Sequence, residues 1–319
     1  MKKEKQPYFL VIGLGTSGTS MAKFLCSKGK TVIATDIDAS RKKIAEELNA
    51  LGIETQIGFH DQKTFNLADV IVPSPGISKN NTFIKTAVSL GVNVEGELDI
   101  FSRYNNLPVI AITGTNGKTT TTTLIGDILK SCGMKPFVGG NIGTPLVDHL
   151  INKGATDVIV AEISSFQLDQ ISLSTNIAAL LNVTPNHLDR HGTMEAYAAA
   201  KARLLQNQKT EDIAIIGRED EGAWSMAAFS PGKMFTFGSK PLVESESGTY
   251  PLNDYIYFRD ERMDIPLIPM KSIHLRGNHN LLNVLAAATI AFVAGFPPKA
   301  MEAALEDFHG VEHRLELVR

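Results

Sequence analysis

Cysteine is scarce in this 319-residue sequence, and so is net charge. The two cysteines, Cys26 and Cys132, each lie in a helical pattern, so we interpret them as buried free thiols rather than as a disulfide or a metal pair. The formal net charge of −3 provides no overall basic field for binding DNA or RNA, and we expect no nucleic-acid partner. Any anionic ligand must therefore be held by local groups.

Long apolar runs are also absent. No stretch approaches the roughly 20 apolar residues that a membrane-spanning helix needs. The apolar run from Phe9 to Leu14 is too short for a secretory signal and is broken by Gly13. These absences predict a cytoplasmic protein without a membrane partner.

Short apolar segments alternate with helical patterns along the chain, which predicts parallel strands in doubly wound α/β sheets. The first series has strands at Tyr8–Ile12, Thr31–Thr35 and Val70–Val72 and helices at Ser17–Lys28, Ser40–Leu51 and Asn81–Leu90. The second series has strands at Val109–Ile112, Val158–Ala161, Ile177–Leu181 and Ile213–Ile216. We predict a Rossmann-like parallel-sheet domain in residues 1–96 and a second α/β domain, of P-loop type, in residues 97–310.

The pattern changes near the end of the second series. Tyr255–Arg259 and Met263–Leu267 flank Asp260-Glu261-Arg262, which predicts a hairpin on the edge of the second domain. Helices are predicted at Asn280–Ala294 and Lys299–Phe308. The segment from His313 to Val318 has the pattern of a further strand.

A phosphate-binding loop, Gly114-Thr115-Asn116-Gly117-Lys118-Thr119, follows a strand and opens a helix. Its N–H groups and the helix N-terminus would converge on one anion. Lys118 can reach the outer phosphates of ATP, and the Thr119 hydroxyl can ligate Mg²⁺. Ile112 replaces the first glycine of the standard motif, so an incidental glycine-rich turn stays open as an alternative.

Three further residues follow or lie near strand ends of the same domain. Glu162 ends an apolar strand, where a P-loop fold holds its second metal-binding residue, although a solvated glutamate is the alternative. His187 follows the next strand, and both a site role and a structural role are open. Lys201 lies on a predicted helix, and its spacing alone does not separate it from a solvated charge.

The segment Gly13-Leu14-Gly15-Thr16-Ser17-Gly18 has the G-x-G-x-x-G spacing between a strand and a helix, and Asp36 follows the next strand. This pattern favours a dinucleotide, with Asp36 on a ribose, but it serves any diphosphate. A nicotinamide-dependent oxidoreductase is one alternative, and it leaves Lys118, Glu162 and Lys201 without roles.

Taken together, these segments resemble the Mur ligases of peptidoglycan synthesis, most closely the members that add D-glutamate. Within that family the residue at Ile112 is the usual form of the loop. The glycine-rich start and Asn116 favour the D-glutamate-adding branch over the other members. The matching segments run through essentially the whole chain: Gly13–Gly18, Ser74-Pro75-Gly76-Ile77, Thr113–Thr119, Gly139-Gly140-Asn141-Ile142-Gly143, Glu162–Leu168, Asn182-Val183-Thr184, His187, Lys201, Gly277-Asn278-His279-Asn280 and His313-Arg314.

The resemblance implies a reaction, two substrates and a set of cofactors. ATP would activate the carboxylate of UDP-N-acetylmuramoyl-L-alanine as an acyl phosphate, which the amine of D-glutamate then attacks. Two Mg²⁺ ions and a carbamylated lysine at Lys201 are implied. The chain is expected to act as a monomer.

The resemblance also implies residue roles. The catalytic groups would be Lys118, Glu162, His187 and Lys201. The metal ligands would be Thr119, Glu162, His187 and the Lys201 carbamate. ATP would contact Gly114, Thr115, Asn116, Gly117, Lys118, Thr119, Thr120, Asn280 at the adenine, and Arg314. The UDP substrate would contact Gly15, Thr16, Ser17, Asp36, Ser74, Gly76, Asn141, Ser164 and His187.

Mur ligases carry a third domain that closes over ATP and supplies the D-glutamate site. Residues 311–319 would be the hinge that leads into it, and the sequence stops there. We therefore expect the 319 residues to bind the UDP substrate but to ligate D-glutamate poorly. A non-catalytic UDP-sugar-binding module is the second alternative.

Overall fold

The computed structural model describes residues 7–78, 80–152, 154–168, 173–243 and 245–311. The described residues form two compact units. Both are α/β in class, as predicted, and each is built on its own sheet. The predicted final strand and Arg314 lie outside the described residues.

The first unit is a five-stranded parallel sheet in the order β3-β2-β1-β4-β5. The strands are β1 Phe9–Ile12, β2 Val32–Asp36, β3 Glu54–Ile57, β4 Val70–Pro73 and β5 Asn93–Val94. The helices are α1 Thr16–Ser27, α2 Lys42–Ala50, α3 Gln62–Leu67, α4 Thr82–Ser89 and α5 Glu97–Tyr104. The order reverses at β1, so ligands are expected at the carboxyl ends of β1 and its neighbours.

The second unit is a nine-stranded sheet in the order β14-β13-β12-β11-β10-β9-β6-β8-β7. The strands are β6 Val109–Thr113, β7 Pro136–Gly140, β8 Val158–Glu162, β9 Ile177–Leu180, β10 Ile213–Gly217, β11 Lys233–Phe237, β12 Gly248–Leu252, β13 Tyr255–Asp260 and β14 Met263–Pro269. Strands β6 to β12 pair in parallel, whereas β13 pairs antiparallel with both β12 and β14. The predicted edge hairpin is confirmed as β13 and β14.

The remaining helices pack around these sheets. They are α6 Lys118–Ser131, α7 Leu146–Ile151, α8 Ser165–Leu168, α9 Leu188–His191, α10 Met194–Gln206, α11 Glu221–Trp224, α12 Asn278–Val293 and α13 Pro298–Asp307. Helix α7 groups with the first unit, where it packs on α1 and α5. Helices α6, α12 and α13 supply much of the apolar core beneath the second sheet, which includes Leu124, Leu285 and Met301.

Local chemistry explains several of these elements. Strands β6, β8 and β9 are buried at every position, which accounts for their unbroken apolar sequences. The sequence pattern did not predict β3 and β5. Strand β3 is at most half-buried and so has no apolar run, and β5 is only two residues long. Cys26 and Cys132 are free thiols, but both are half-buried rather than buried, because each lies near the exposed end of its helix.

The turn between β1 and α1 requires glycine at two positions. Gly13 has φ +85°, in the region that favours glycine. A Cβ atom on Gly18 would lie 1.8 Å from the Gly13 carbonyl oxygen, so α1 can approach the turn only because Gly18 has no side chain.

We predict that Gly18→Ala destabilises the first unit by about 1–3 kcal/mol or more, because its Cβ meets backbone that cannot yield. Gly15→Ala is the matched control, since nothing lies within 4 Å of a Cβ there. The control should stay within about 1 kcal/mol of the wild type. Thermal unfolding measures both, and equal melting temperatures for the two variants would contradict the steric argument.

Candidate functional site

The phosphate-binding loop joins β6 to α6 at the carboxyl edge of the second sheet. Gly117 caps the helix with φ +83°, and a Cβ there would lie 2.1 Å from Asn283 Oδ1. The first N–H groups of a helix have no acceptor within it, so those at the start of α6 are available to an anion. The start of α6 thus has the geometry of a helix N-terminal anion site, and the binding of an anion there stays a prediction.

Lys118 is the first residue of α6, and its side chain turns back across the loop. Its Nζ donates a hydrogen bond to the Thr115 carbonyl oxygen at 2.9 Å. The ammonium is therefore held at the mouth of the loop, where the outer phosphates of a nucleotide would lie.

Glu162 ends β8, the parallel neighbour of β6, and its side chain is 1% exposed. The Thr119 hydroxyl donates to Glu162 Oε2 at 2.8 Å, and Asn141 Nδ2 donates to Glu162 Oε1 at 2.8 Å. Asn141 is itself fixed by its N–H, which donates to the Glu162 carbonyl oxygen at 2.8 Å. The carboxylate is a structured part of the site and not the solvated glutamate of the alternative reading.

The pair formed by Thr119 and Glu162 fits a magnesium ion. Both groups offer oxygen, which Mg²⁺ prefers, and adjacent ligands of its octahedron lie about 2.9 Å apart for bonds of 2.0–2.1 Å. Thr119 Oγ1 and Glu162 Oε2 are held 2.8 Å apart by their hydrogen bond, which is close enough for both oxygens to contact one ion. In the described part of the chain, no three His, Cys, Asp or Glu side chains are grouped around a common point suited to a metal.

Lys201 lies on α10 and is 1% exposed. Its Nζ donates to the Gly114 carbonyl oxygen at 2.9 Å and lies 3.4 Å from Thr113 Oγ1. Burial, and after it the charge of Lys118, lowers the pKa of Lys201 to about 7 against the opposing effect of Glu162. The helix therefore brings to the loop a lysine that spacing alone could not separate from a surface charge.

His187 adopts a left-handed conformation with φ +52° and is exposed. Its ring lies 4.9 Å from the ring of Phe166, measured between centroids, and Phe166 is also stacked on His191 and covered by Arg190. The contacts of its ring are thus aromatic, and none of them joins it to Glu162 or Lys201.

Two other predicted contact residues make local hydrogen bonds. Ser164 Oγ and Ser164 N–H both donate to Gln167 Oε1 at 3.0 Å, at the start of α8. Asn280 Nδ2 donates to the Arg276 carbonyl oxygen at 2.9 Å, and its Oδ1 accepts from Asn283 Nδ2 at 3.3 Å. Thr120 lies inside the first turn of α6 and is buried.

The first unit carries its own candidate site at the turn between β1 and α1. Asp36 at the end of β2 accepts from the Leu14 N–H at 2.6 Å and from the Asp38 N–H at 2.8 Å. Ser74 Oγ donates to the Gly13 carbonyl oxygen at 2.8 Å. Both side chains thus hold the turn itself, which sequence spacing did not indicate.

The exposed positions around that turn are the ones that a ligand can reach. Gly15, Thr16 and Gly76 are exposed, and Ser17 is half-buried. Gly15 caps the twelve-residue helix α1 in an extended conformation, which leaves the N–H groups of its first turn facing outward. The arrangement suits a phosphate or diphosphate group.

Sequence reasoning assigned no role to three residues that shape the loop. Asn182 bonds to Asn116, Tyr197 OH lies 3.0 Å from Thr115 Oγ1, and Asn283 faces Gly117. Only the position of Asn182 just after β9 could have pointed to it.

Among the described residues, no helix is long and apolar enough to cross a bilayer.

The sequence matches two domains of known proteins and is similar to several curated relatives. Residues 112–291 match the Mur ligase middle domain, and residues 8–96 match the MurD-like N-terminal domain of Mur ligases. A UDP-N-acetylmuramoylalanine–D-glutamate ligase of Caldanaerobacter subterraneus is 38% identical over 99% of this chain and 69% of its own length. One from Koribacter versatilis is 42% identical over 96% of this chain and 68% of its own length.

Solved structures show the same fold at lower identity. A UDP-N-acetylmuramate:L-alanyl-gamma-D-glutamyl-meso-diaminopimelate ligase from Neisseria meningitides has a TM-score of 0.66 at 20% identity, over 97% of this chain and 100% of that one. A UDP-N-acetylmuramate-alanine ligase from Thermotoga maritima has a TM-score of 0.56 at 22% identity, over 95% of this chain and 69% of that one. The two domain matches, the identity to full-length relatives and the shared fold agree with the loop geometry, and the chain belongs to the Mur ligase family.

Proposed function

We propose that the chain serves the ATP-dependent ligation of D-glutamate to UDP-N-acetylmuramoyl-L-alanine in peptidoglycan synthesis. The observation that carries the proposal is the meeting of Lys118, the Thr119–Glu162 pair and buried Lys201 at one phosphate-binding loop. The D-glutamate ligases that are 38% and 42% identical to this chain support the choice of substrate.

The first step is a phosphoryl transfer. A carboxylate oxygen of the alanyl group forms a bond to the γ-phosphorus of ATP, the bond to the β–γ bridging oxygen breaks, and ADP leaves. Lys118 and the N–H groups at the start of α6 would offset the charge on the transferring group. In the second step the amine of D-glutamate attacks the acyl carbon, phosphate leaves, and the amine loses a proton as the amide forms.

Mg²⁺ would be held by Thr119 and Glu162, whose oxygens lie side by side at the loop. When bound, the ion neutralises phosphate charge during the transfer. Asn141 keeps the Glu162 carboxylate oriented through the hydrogen bond to Oε1. His187 and the Lys201 carbamate are proposed for the second ion.

The Lys201 amine suits carbamylation. A neutral amine adds to the carbon of CO₂ and loses a proton, which leaves an anionic carbamate whose oxygens are hard ligands. Burial lowers the pKa of Lys201 and so disfavours the ammonium, which is the form that cannot add CO₂.

The turn between β1 and α1 is proposed to bind the uridine diphosphate. Its phosphates would lie at the N-terminus of α1, close to Gly15, Thr16 and Ser17. Gly76 is proposed as a further contact because it is exposed and lies two residues after Ser74, which holds the turn. Asp36 would act on the ribose or uracil mainly through the turn that it braces, because both its oxygens already accept N–H groups. Asn141, Ser164 and His187 are proposed to contact the rest of the substrate, Asn280 the adenine and Arg314 the nucleotide.

The proposal predicts that the chain binds MgATP and UDP-N-acetylmuramoyl-L-alanine in isothermal titrations. Glu162→Gln should weaken ATP binding about tenfold or more in the presence of Mg²⁺ and much less without it, because the change removes an anionic ligand. Exposed Glu221 provides the control variant Glu221→Gln, which should bind as the wild type does.

Binding of the UDP substrate without any binding of ATP would instead support a non-catalytic UDP-sugar-binding module. Binding of NADH, seen as enhanced fluorescence, would support the oxidoreductase reading. Equal losses for Glu162→Gln with and without Mg²⁺ would refute the metal role of Glu162.

We predict a carbamate signal from Lys201 in ¹³C NMR spectra of protein equilibrated with ¹³C-labelled bicarbonate. Lys201→Ala should remove the signal, whereas Lys130→Ala, an exposed lysine of α6, should keep it. Short-chain carboxylates should partly restore any ADP release that Lys201→Ala loses. A wild-type spectrum without the signal would return Lys201 to the role of a structural lysine.

We also predict that Lys201→Met stabilises the protein in CO₂-free buffer near neutral pH, by a few kcal/mol. The pKa of Lys201 is about 7 in the folded chain and near 10.5 when unfolded, so the unfolded state binds more protons between these values. The cost of the buried ammonium is full below pH 7 and disappears as the pH rises through 10.5.

The difference in melting temperature between Lys201→Met and wild type should therefore shrink from pH 7 toward pH 10. Lys130→Met serves as the control and should follow the wild type at every pH. A difference that is independent of pH would show that packing, and not charge burial, causes the stabilisation.

A further inference from the structure

Asn182 lies two residues after the end of β9 and contacts the phosphate-binding loop. Its Oδ1 accepts from the Asn116 N–H at 2.8 Å, and its Nδ2 donates to the Asn116 carbonyl oxygen at 3.1 Å. One side-chain amide thus engages both backbone groups of a single loop residue, in the way that a neighbouring strand would. The Asn182 carbonyl oxygen adds a third bond by accepting from the Thr115 N–H at 2.9 Å.

These bonds decide which N–H groups of the loop face a ligand. The N–H groups of Thr115 and Asn116 point to Asn182 and are not available to phosphate. An anion at this loop would therefore be met by the N–H groups at the start of α6. Asn182 therefore sets the orientation of the peptide planes that precede the helix.

The segment that carries Asn182 is itself fixed. The Val183 N–H donates to Asp220 Oδ1 at 2.9 Å, and the Thr184 N–H donates to Thr115 Oγ1 at 3.0 Å. Thr115 Oγ1 also lies 3.0 Å from Tyr197 OH. These bonds fix the backbone that follows Asn182, so the position of the Asn182 side chain is also fixed.

The bonds between Asn182 and Asn116 lie at the exposed surface. Water can replace them when the side chain is lost, so their contribution to folding is expected to be small. Water cannot replace their effect on the position of the loop, because a water molecule does not tie the Asn116 backbone to β9.

We propose that Asn182 is a positioning residue that holds the phosphate-binding loop in the conformation that accepts nucleotide. The proposal rests on the ATP binding proposed above, and it adds a residue whose action is on the loop rather than on the ligand.

The test compares three variants of the full 319-residue chain. Asn182→Ala removes both side-chain bonds, and Asn182→Asp keeps the acceptor for the Asn116 N–H but sets an oxygen against the Asn116 carbonyl. Asn176→Ala is the matched control, because Asn176 Oδ1 accepts from the Val109 N–H at 3.0 Å at the opposite end of the same strand pair.

Two readouts are measured for each variant: the Kd for MgADP and the hydrogen exchange of amides in residues 113–119. Asn182→Ala should weaken MgADP binding about tenfold or more and speed exchange at Thr115 and Asn116, with little change in melting temperature. Asn182→Asp should do the same. Asn176→Ala should lower the melting temperature and leave both readouts unchanged.

Unchanged loop exchange and unchanged MgADP affinity in both Asn182 variants would overturn the proposal, as would equal effects of Asn176→Ala. A wild-type chain that binds no MgADP would refute the proposed function, and the exchange rates would still decide the role of Asn182. If Asn182→Ala fails to fold, Asn182→Asp supplies both readouts.

Discussion

The pairing of β6 with β8 on one side and β9 on the other is the constraint on which the candidate site depends. Parallel strands bring their carboxyl ends to one edge, so residues distant in the sequence meet there. The loop follows β6, Glu162 ends β8, and Asn182 follows β9. A shift of register by one residue would turn every side chain of a strand to the other face and separate these groups.

The site is built against the preference of charged groups for water. Glu162 and Lys201 are each 1% exposed, and Lys118 lies close enough to lower the pKa of Lys201. Such an arrangement is held by the apolar strands and helices around it rather than by its own interactions. The unbroken burial of β6, β8 and β9 provides that support.

Much of the fold could be predicted from the sequence, because apolar strands and amphipathic helices alternate along it. The loop and Glu162 followed from their places after strands, whereas Lys201 followed only from the family resemblance, since a helix carries many lysines. The bracing roles of Asp36 and Asn182 could not be predicted, because hydrogen bonds from side chain to backbone depend on loop conformations that no periodicity encodes. Half-exposed strands such as β3 were missed for lack of an apolar pattern.

The bond from Lys118 Nζ to the Thr115 carbonyl has a consequence for nucleotide affinity. The loop supplies its own acceptor to the lysine, so an arriving phosphate competes with a partner already in place. Binding would then exchange the Thr115 carbonyl for a phosphate oxygen as the acceptor of the Lys118 ammonium. The ammonium would therefore lose a protein acceptor and not only water when phosphate binds. The affinity for the proposed nucleotide would therefore reflect the difference between two acceptors for the same cation. A loop with a weaker internal acceptor would hold the same nucleotide more tightly.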